Sequence, residues 1–243
     1  MNKNNEEVKV CFGSKLIKGR FCSRPNRFLA YVDIEGEEVA AHVADPGRLK
    51  ELLIPGADVY LLPREGENRK TRWQLVLVKN ASVLVSVYSQ LPNRLAYVAL
   101  NNGKISEFAD FPHVKAEYTI GNSRFDFALA KKNEDPFKPD CLVEVKSVTL
   151  VENGVALFPD APTKRGVKHV NELIRLKQSG YNAAVLFIVQ RSDAKKVSPN
   201  RKTDPQFAKA LAKAKSVGVK IVAYGSRLDT GGITLLESVP VVL

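Results

Sequence analysis

Short apolar runs separated by turn residues dominate the chain up to about residue 89. The turns combine Gly or Pro with Asn or Asp, as in Arg24-Pro25-Asn26 and Asp45-Pro46-Gly47. Runs of this length that are rich in Val, Ile, Phe and Tyr predict strands. The predicted strands span 8–11, 16–21, 28–34, 38–44, 58–62 and 73–78, and one short amphipathic helix spans 48–53. Such a segment favours a small barrel such as the OB-fold, although the pattern alone also fits other small barrels.

The pattern changes beyond residue 90, where helical and strand-like segments alternate. Helices are predicted over 93–100, 163–178 and 205–217, each followed within a few residues by a glycine that favours the end of a helix. Strands are predicted over 114–120, 125–130, 141–145, 183–189, 219–224 and 233–237. This alternation predicts a mixed sheet flanked by helices. We therefore expect an α+β chain of two domains, a barrel over 1–82 and a helix-flanked sheet over 83–243, with 196–202 as a mobile loop.

Charge is the feature of the composition that changes this picture. The chain has 37 Lys and Arg against 26 Asp and Glu, a net charge of +11. Such an excess favours polyanionic partners, because contacts with phosphates release condensed counterions. A basic surface that only aids solubility is the alternative. Neither a run of about 20 apolar residues nor a signal-peptide core is visible, so we expect no membrane segment. Three cysteines in no metal-ligand spacing favour the reducing cytoplasm.

Polar residues interrupt two strands of the predicted sheet. Side chains alternate between the faces of a strand, so Glu144 and Lys146 share one face of their strand. Arg124 and Asp126 share one face of the preceding strand, with the apolar residues Phe125, Phe127 and Leu129 on the other. If the two strands are neighbours, Asp126 and Glu144 converge beside Lys146.

Two converging carboxylates can hold Mg²⁺ or Mn²⁺, which prefer oxygen ligands. Such a metal activates a bound water, and a nearby lysine can orient that water or stabilise developing charge. An Asp followed at a distance by Glu-x-Lys also occurs by chance, and Glu144 with Lys146 could be a solvated pair. The catalytic interpretation gains from the apolar strands around these residues, where an unpaired charge is costly.

The helix predicted over 163–178 begins in a segment rich in basic residues. Thr163 can cap this helix, whose free N–H groups favour an anion. Lys164, Lys168 and Arg175 form one stripe, opposite Val167, Val170 and Ile174. This stripe either contacts phosphates or is a solvated face, and the pattern does not separate the two. His169 could position a water or a phosphate, although a hydrogen-bonding residue on the helix surface is the favoured interpretation.

Several long motifs make the chain resemble the sugar fermentation stimulation protein A family over almost its whole length. They are Asn26-Arg27-Phe28, Asp45-Pro46-Gly47-Arg48-Leu49, Ser123-Arg124-Phe125-Asp126-Phe127, Val143-Glu144-Val145-Lys146-Ser147-Val148-Thr149-Leu150, Phe158-Pro159-Asp160-Ala161-Pro162-Thr163, Arg165-Gly166, Lys168-His169 and Gln190-Arg191. The resemblance implies an N-terminal OB-like β-barrel joined to an α/β domain of the PD-(D/E)xK nuclease type.

The resemblance also implies a function and a set of site residues. It implies DNA binding, chiefly to duplex, with little sequence preference, and a regulatory link to sugar (maltose) metabolism. The nuclease motif falls on Asp126, Glu144 and Lys146, with Glu117 as a further acidic member and Mg or Mn as the metal. The expected nucleic-acid contacts are Arg124, Thr163, Lys164, Arg165, Lys168 and His169. Many nucleases of this class act as dimers, so a homodimer is the oligomer to test for.

Two positions depart from the family pattern. A cysteine that the family usually has beside His42 is absent, and Ala41 stands there. A thiol role is therefore disfavoured, and His42 is interpreted as structural. Trp73 replaces the usual Tyr; it could stack a base, but its apolar neighbours favour a place in the core.

Three functions remain in competition on the sequence alone. A regulatory DNA-binding protein that retains the metal site is the leading hypothesis, and an active metal-dependent endonuclease is the second. The third is an oligosaccharide-binding module, because OB-folds also bind sugars. Aromatic residues make up only 8% of the chain, and a net charge of +11 offers nothing to a neutral sugar, so this third function is disfavoured.

Overall fold

A computed structural model describes residues 7–66 and 69–243. After a first short strand, β1 (Lys9–Cys11), the chain forms a six-stranded sheet. Its strands are β2 (Ile17–Asn26), β3 (Leu29–Ile34), β4 (Glu37–Val43), β5 (Asp58–Pro63), β6 (Trp73–Asn80) and β7 (Val83–Ser86). The order is β4-β3-β2-β5-β6-β7, and β4 also pairs in parallel with β6. That pairing closes β2 to β6 into a five-stranded barrel, which confirms the predicted OB-like fold.

The barrel has its own apolar core. Side chains that alternate inward along the strands, such as Val32, Ala41 and Leu61, are fully buried in one cluster. Trp73 is partly buried and packs against this cluster, in agreement with its interpretation as a core residue.

A second domain follows the barrel and contains three α-helices. Its elements are α1 (Leu91–Asn101), a 3₁₀ turn (Ser106–Phe108), β8 (His113–Ile120), β9 (Ser123–Ala130), β10 (Cys141–Val148), β11 (Val151–Glu152), β12 (Val155–Phe158), α2 (Lys164–Gln178), β13 (Asn182–Val189), β14 (Lys196–Pro199), α3 (Pro205–Ser216), β15 (Lys220–Asp229) and β16 (Gly232–Ser238). A seven-stranded sheet has the order β1-β16-β15-β13-β10-β9-β8, and a small sheet has the order β11-β12-β14.

The large sheet is mixed and covered on both faces. Strands β10, β13 and β15 run parallel, whereas the outer strands pair antiparallel. One face packs against α1, where Leu95 is fully buried with Val143. The other face packs against α2 and α3, where Leu173 and Leu211 share a cluster with Leu142. The predicted mixed sheet flanked by helices is confirmed.

The first strand belongs to the second domain. Strand β1 pairs antiparallel with β16, with Val10 opposite Ile233. This corrects the expectation that residues 8–11 form part of the barrel. The domain boundary placed between residues 82 and 83 stays a prediction; β7 begins at Val83 and pairs with β6 of the barrel sheet.

Two local expectations are wrong. Residues 48–53 form hydrogen-bonded turns instead of a helix, because Leu49 has a left-handed backbone (φ 50°) and its carbonyl accepts from both Leu52 and Leu53. The segment predicted as a mobile loop over 196–202 begins with a strand, β14, which pairs in parallel with β12. Val197 in that strand is fully buried, so the basic residues around it flank an anchored segment.

Direct contacts join the barrel to the second domain. The Ser86 N–H donates to the carbonyl of Gln190 at 3.2 Å. Arg191 of the second domain donates to the side chain of Asn80 in the barrel at 3.2 Å, and it also donates to the carbonyl of Thr149 in its own domain at 3.2 Å. The Arg48 N–H donates to the Asp160 carboxylate at 2.7 Å.

Over the described ranges, no helix is long and apolar enough to cross a membrane.

Candidate metal centre

Asp126 lies where strands β9 and β10 separate. Their residues pair from Leu129↔Cys141 to Phe127↔Val143. One step further on, the Val145 N–H donates to Oδ2 of Asp126 at 2.7 Å, so the side chain takes over as the acceptor. Helix α1 supplies a second donor, because Nδ2 of Asn93 lies 2.7 Å from Oδ1 of Asp126. Strand and helix therefore hold this carboxylate in one orientation.

The alternation of faces around Asp126 is broken. Phe125 packs in the cluster of α2, with its ring 6.1 Å from that of His169. Phe127 packs in the cluster of α1, with its ring 6.2 Å from that of Tyr97. The prediction that Phe125 and Phe127 share one face is therefore wrong.

Glu144 is the buried centre of the site, with 4% of its surface exposed. Its Oε1 lies 2.5 Å from Nζ of Lys146 and 2.5 Å from Nδ1 of His169. The contact with Lys146 agrees with the shared strand face that the sequence predicts. Among the described residues, Oε2 of Glu144 is buried and has no hydrogen-bond partner. A buried carboxylate oxygen in this state favours a cation or a donor beside it.

The two carboxylates differ in their electrostatics. Burial raises the pKa of Asp126, and the charge of Glu144 raises it further. The Val145 N–H, the charge of Lys146 and the hydrogen bond from Asn93 lower the pKa, but the net pKa is still above its ordinary value. Burial would also raise the pKa of Glu144, but the hydrogen bond from His169 and the charge and hydrogen bond of Lys146 outweigh it. The net pKa of Glu144 is below its ordinary value. A cation between the two would relieve the repulsion that acts on Asp126.

The donor set fits a hard divalent cation that keeps part of its water shell. Within residues 7–66 and 69–243, no group of three or more His, Cys, Asp and Glu side chains is arranged to hold a metal ion. Asp126 and Glu144 would therefore be the carboxylate ligands, and waters, backbone carbonyls or substrate would complete the coordination. Mg²⁺ is commonly bound in this way, through one or two carboxylates.

His169 is not a surface residue. It lies on the inner side of α2 with 7% of its surface exposed, and its ring contacts Glu144. The favoured interpretation of His169 as a residue of the helix surface is therefore wrong. The hydrogen bond to a candidate metal ligand makes it a positioning residue, because such outer partners fix the orientation of a ligand. Its predicted contact with nucleic acid stays a prediction.

Glu117 and Arg124 lie away from this buried cluster. Glu117 falls between the paired positions Ala116↔Phe127 and Tyr118↔Phe125, in a left-handed conformation (φ 52°). Its carboxylate is 73% exposed and lies 3.7 Å from the guanidinium of Arg124, which is 60% exposed. A pair this exposed contributes little to stability. A catalytic role for Glu117 and a nucleic-acid contact for Arg124 stay predictions.

The N-terminal end of α2 carries the predicted phosphate contacts. Oγ1 of Thr163 accepts from the Gly166 N–H at 3.0 Å and caps the helix. Lys164, Arg165 and Lys168 are exposed, whereas Val170 and Ile174 are buried on the opposite side. The helix is thus basic outward and apolar inward, as the stripe predicts.

Two residues that position the site were given no role by sequence reasoning, although Gln190 belongs to the Gln190-Arg191 motif. Asn93 contacts Asp126, but its position in the first turn of α1 gave no signal of this. Gln190 is fully buried, and its Nε2 donates to Oγ of Ser147 at 2.7 Å. A signal for Gln190 existed, because it is a polar residue directly after the buried apolar run of β13.

A cleft between the two domains lies next to the candidate metal site. Its volume is about 610 Å³, and Lys146 and Ser147 line it from the second domain. The barrel contributes residues of the 24–27 and 45–50 segments. Because Lys146 also contacts Glu144, the buried carboxylate and the cleft meet at this lysine.

Comparison with known proteins agrees with this architecture. A family model described as "Sugar fermentation stimulation protein RE domain" matches residues 90–232, and one described as "SfsA N-terminal OB domain" matches residues 22–87. A sugar fermentation stimulation protein homolog of Moorella thermoacetica is 47% identical over 95% of this chain and 98% of its own. A homolog of Clostridium perfringens is 44% identical over 96% of this chain and 99% of its own.

A solved structure matches along the whole chain. It is that of Pyrococcus furiosus SfsA in complex with Ca²⁺, with a TM-score of 0.87 and 29% identity, covering 98% of this chain and 100% of that one. The fold and site thus define a two-domain protein with an OB barrel and a helix-flanked mixed sheet. The chain belongs to the sugar fermentation stimulation protein family.

Proposed function

We propose that the chain is a DNA-binding protein with little sequence preference, which holds a divalent cation at Asp126 and Glu144 and acts in the regulation of sugar (maltose) metabolism. The observation that carries the proposal is the buried oxygen of Glu144 without a hydrogen-bond partner, beside a second carboxylate and Lys146. The protein would act in the cytoplasm, as a homodimer if it must reach both strands of a duplex.

The cation is the first part of the proposal. Oε1 of Glu144 is occupied by Lys146 and His169, which leaves Oε2 free to face a metal. The Ca²⁺ complex of the Pyrococcus furiosus relative supports a divalent cation in this family. We propose Mg²⁺ or Mn²⁺ as the working metal, because a pair of carboxylates with waters suits these ions.

Charge supports the nucleic-acid partner. A net charge of +11 favours a polyanion, and the exposed Lys164, Arg165 and Lys168 lie on the first turns of α2. The N-terminus of that helix adds free N–H groups and a positive dipole end, which attract phosphate. Contacts of this kind carry little sequence information, which matches binding without sequence preference.

An active endonuclease is the second candidate. A bound cation would lower the pKa of a coordinated water and offset charge on the phosphate. Lys146 favours this candidate, because its side chain is only 12% exposed and is held at 2.5 Å from Glu144, at the edge of the cleft. There it can orient a water or stabilise charge on a phosphate oxygen. A lysine that served solubility alone would lie in solvent.

A plasmid assay separates the two candidates. Supercoiled plasmid is incubated with the protein and Mg²⁺ or Mn²⁺, beside the Asp126→Ala variant and the Glu117→Ala variant. Nicking that Asp126→Ala abolishes would establish the endonuclease and, if Glu117→Ala retains it, would limit the site to the buried cluster. DNA binding without nicking under either metal would remove the endonuclease and leave the binding protein. Absence of DNA binding at low salt would refute both.

A further inference from the structure

The cleft between the domains has two walls of different character. The second domain contributes Lys146 and Ser147 at the end of β10 and the loop that precedes α2. The barrel contributes a basic wall with Arg27, Arg48 and Lys50, all exposed. Counting both walls, five basic and two acidic side chains line the cleft. Such a groove attracts a phosphate backbone.

Arg24 fixes the basic wall in place. Its guanidinium donates to the carbonyls of Arg27, Asp45, Gly47 and Arg48, at 2.7 to 2.9 Å. One side chain therefore ties the turn that carries Arg27 to the turn that carries Arg48. A wall held in this way presents its charges without a large ordering cost when a ligand binds.

The two acidic side chains of the cleft are engaged with the backbone. Oδ1 of Asp45 accepts from the Gly47 N–H at 2.7 Å. Oδ2 of Asp160 accepts from the Arg48 N–H at 2.7 Å. Asp45 thus closes the 45–49 turn, Asp160 holds this turn against the second domain, and the outward charges of the wall remain basic.

An aromatic side chain stands beside this wall. Phe28 does not line the cleft itself; it directly follows the lining residues Asn26 and Arg27 in the chain and is 54% exposed. Its ring stacks on that of His42, with centroids 6.4 Å apart and planes 18° apart. The ring of His42 is itself held by the carbonyl of Phe28 at 3.1 Å from Nδ1. Phe28 therefore has an exposed ring that packs on a second ring and follows an arginine, and such a ring can stack on a nucleobase.

The size of the cleft favours an unpaired strand as its occupant. A volume of about 610 Å³ lies within the roughly 300–1,000 Å³ of sites that hold ligands of drug size. A nucleotide or dinucleotide is of that size, whereas a base-paired duplex is far larger. We propose that the cleft takes an unpaired strand, with a base on Phe28, phosphates on Arg27, Arg48 and Lys50, and the next phosphate at Lys146. This inference rests on the proposed function and names the form of DNA that reaches its site.

Fluorescence anisotropy on the full-length protein with Ca²⁺ tests the proposal. The probes are a labelled single-stranded DNA, its blunt duplex, and the same duplex with an unpaired overhang. We expect the single strand and the overhang to bind at least about 10-fold more tightly than the blunt duplex. Phe28→Ala should weaken single-strand binding about 10-fold, and Phe28→Tyr should restore it, because stacking is the property lost.

Matched controls come from the same domain. Ile54 is also 54% exposed but, unlike Phe28, does not directly follow residues that line the cleft, so Ile54→Ala should bind like the wild type. Lys50→Ala should weaken binding and reduce the salt slope by about 1, whereas Lys79→Ala, on an exposed position outside the cleft lining, should do neither.

The outcomes separate the assignment of an unpaired strand from DNA binding itself. Equal affinity for blunt duplex and single strand, or equal losses in Phe28→Ala and Ile54→Ala, would overturn the assignment of an unpaired strand while DNA binding itself remained. Failure to bind any of the three DNAs would overturn the proposed function and this inference with it.

Discussion

Asp204 and Thr163 join the starts of two helices through one carboxylate. Oδ2 of Asp204 accepts from the Thr163 N–H at 2.8 Å, while Oδ1 accepts from the Phe207 N–H at 2.8 Å and caps α3. Thr163 in turn caps α2. The N-terminus of α2, which carries the basic residues of the proposed interface, is therefore positioned by a side chain from the start of the neighbouring helix.

Removal of this carboxylate should destabilise the protein more than loss of an ordinary cap. Asp204→Ala removes a cap worth about 0.5–2 kcal/mol and leaves the Thr163 N–H without its partner, at a further cost of about 1–3 kcal/mol. Asp204→Ser retains a cap acceptor and should lose less. Urea denaturation measures both free energies of unfolding. A stability of Asp204→Ser equal to that of the wild type would show that the hydrogen bond to the Thr163 N–H contributes nothing.

Loss of the His169 ring should lower the affinity for a metal ion and leave the free energy of unfolding of the metal-free protein nearly unchanged. His169→Gln removes the ring that holds Oε1 of Glu144, and loss of such an outer partner costs about 10–100-fold in metal affinity. Calorimetric titration with Mn²⁺ or Ca²⁺ measures this affinity, and urea denaturation of the metal-free protein measures the fold. The control is His113→Gln, on β8. A variant that unfolds more easily but binds metal normally would make His169 a packing residue only.

Asp45 should give the stability of the protein a distinct pH dependence. Burial raises the pKa of Asp45 from 3.8 to about 6. The charge of Asp160 also raises this pKa, whereas the Gly47 N–H and the charge of Arg24 lower it. Because the folded state holds this proton more tightly than the unfolded state, its contribution to stability falls as pH rises from about 4 to about 6.

Asp45→Asn isolates this contribution. The amide retains an acceptor for the Gly47 N–H and cannot ionise, so the variant should gain stability relative to the wild type at pH 7 and lose that advantage near pH 4. Urea denaturation at the two pH values measures the difference. A constant difference between the two proteins would show that Asp45 titrates normally.

The outward lysines of α2 should contribute to DNA binding in a salt-dependent way. Lys164→Ala with Lys168→Ala should weaken binding of unrelated DNA sequences about equally and reduce the slope of log affinity against log salt by about 1 to 2. Lys209→Ala with Lys213→Ala makes a matched control, with the same spacing on an exposed face of α3. Identical salt slopes in the two double variants would show that the α2 stripe is only a solvated surface.

The elements of the fold were largely predictable because their signals are local. Helices α1, α2 and α3 and strands β8 to β10 fall within a few residues of their predicted bounds. Errors arose where a long-range contact decides the structure. Strand β1 finds its partner more than 200 residues away, and the turn at Leu49 is held by Asp160 and Arg24 instead of by its own periodicity.

The candidate site was predictable in part for the same reason. Alternation along one strand places Glu144 beside Lys146, and the structure has this contact. Alternation failed at Phe125 because Asp126 binds the backbone of β10 at the point where the strands separate. Asn93 and His169 come from two helices on opposite faces of the sheet, and nothing local to either sequence segment signals their contacts with Asp126 and Glu144.

The pairing of β1 with β16 also orders the events of synthesis. The partner of β1, Gly232–Ser238, leaves the ribosome more than 200 residues after β1 itself. The barrel strands β2 to β6 lie between β1 and β16 in the chain, so the barrel can fold before β16 is synthesised. The sheet gains β1 as its edge strand only when β16 is available. A chain that stops short of residue 232 therefore lacks β16 and leaves β1 without its strand partner, so one missing segment removes two strands from the sheet.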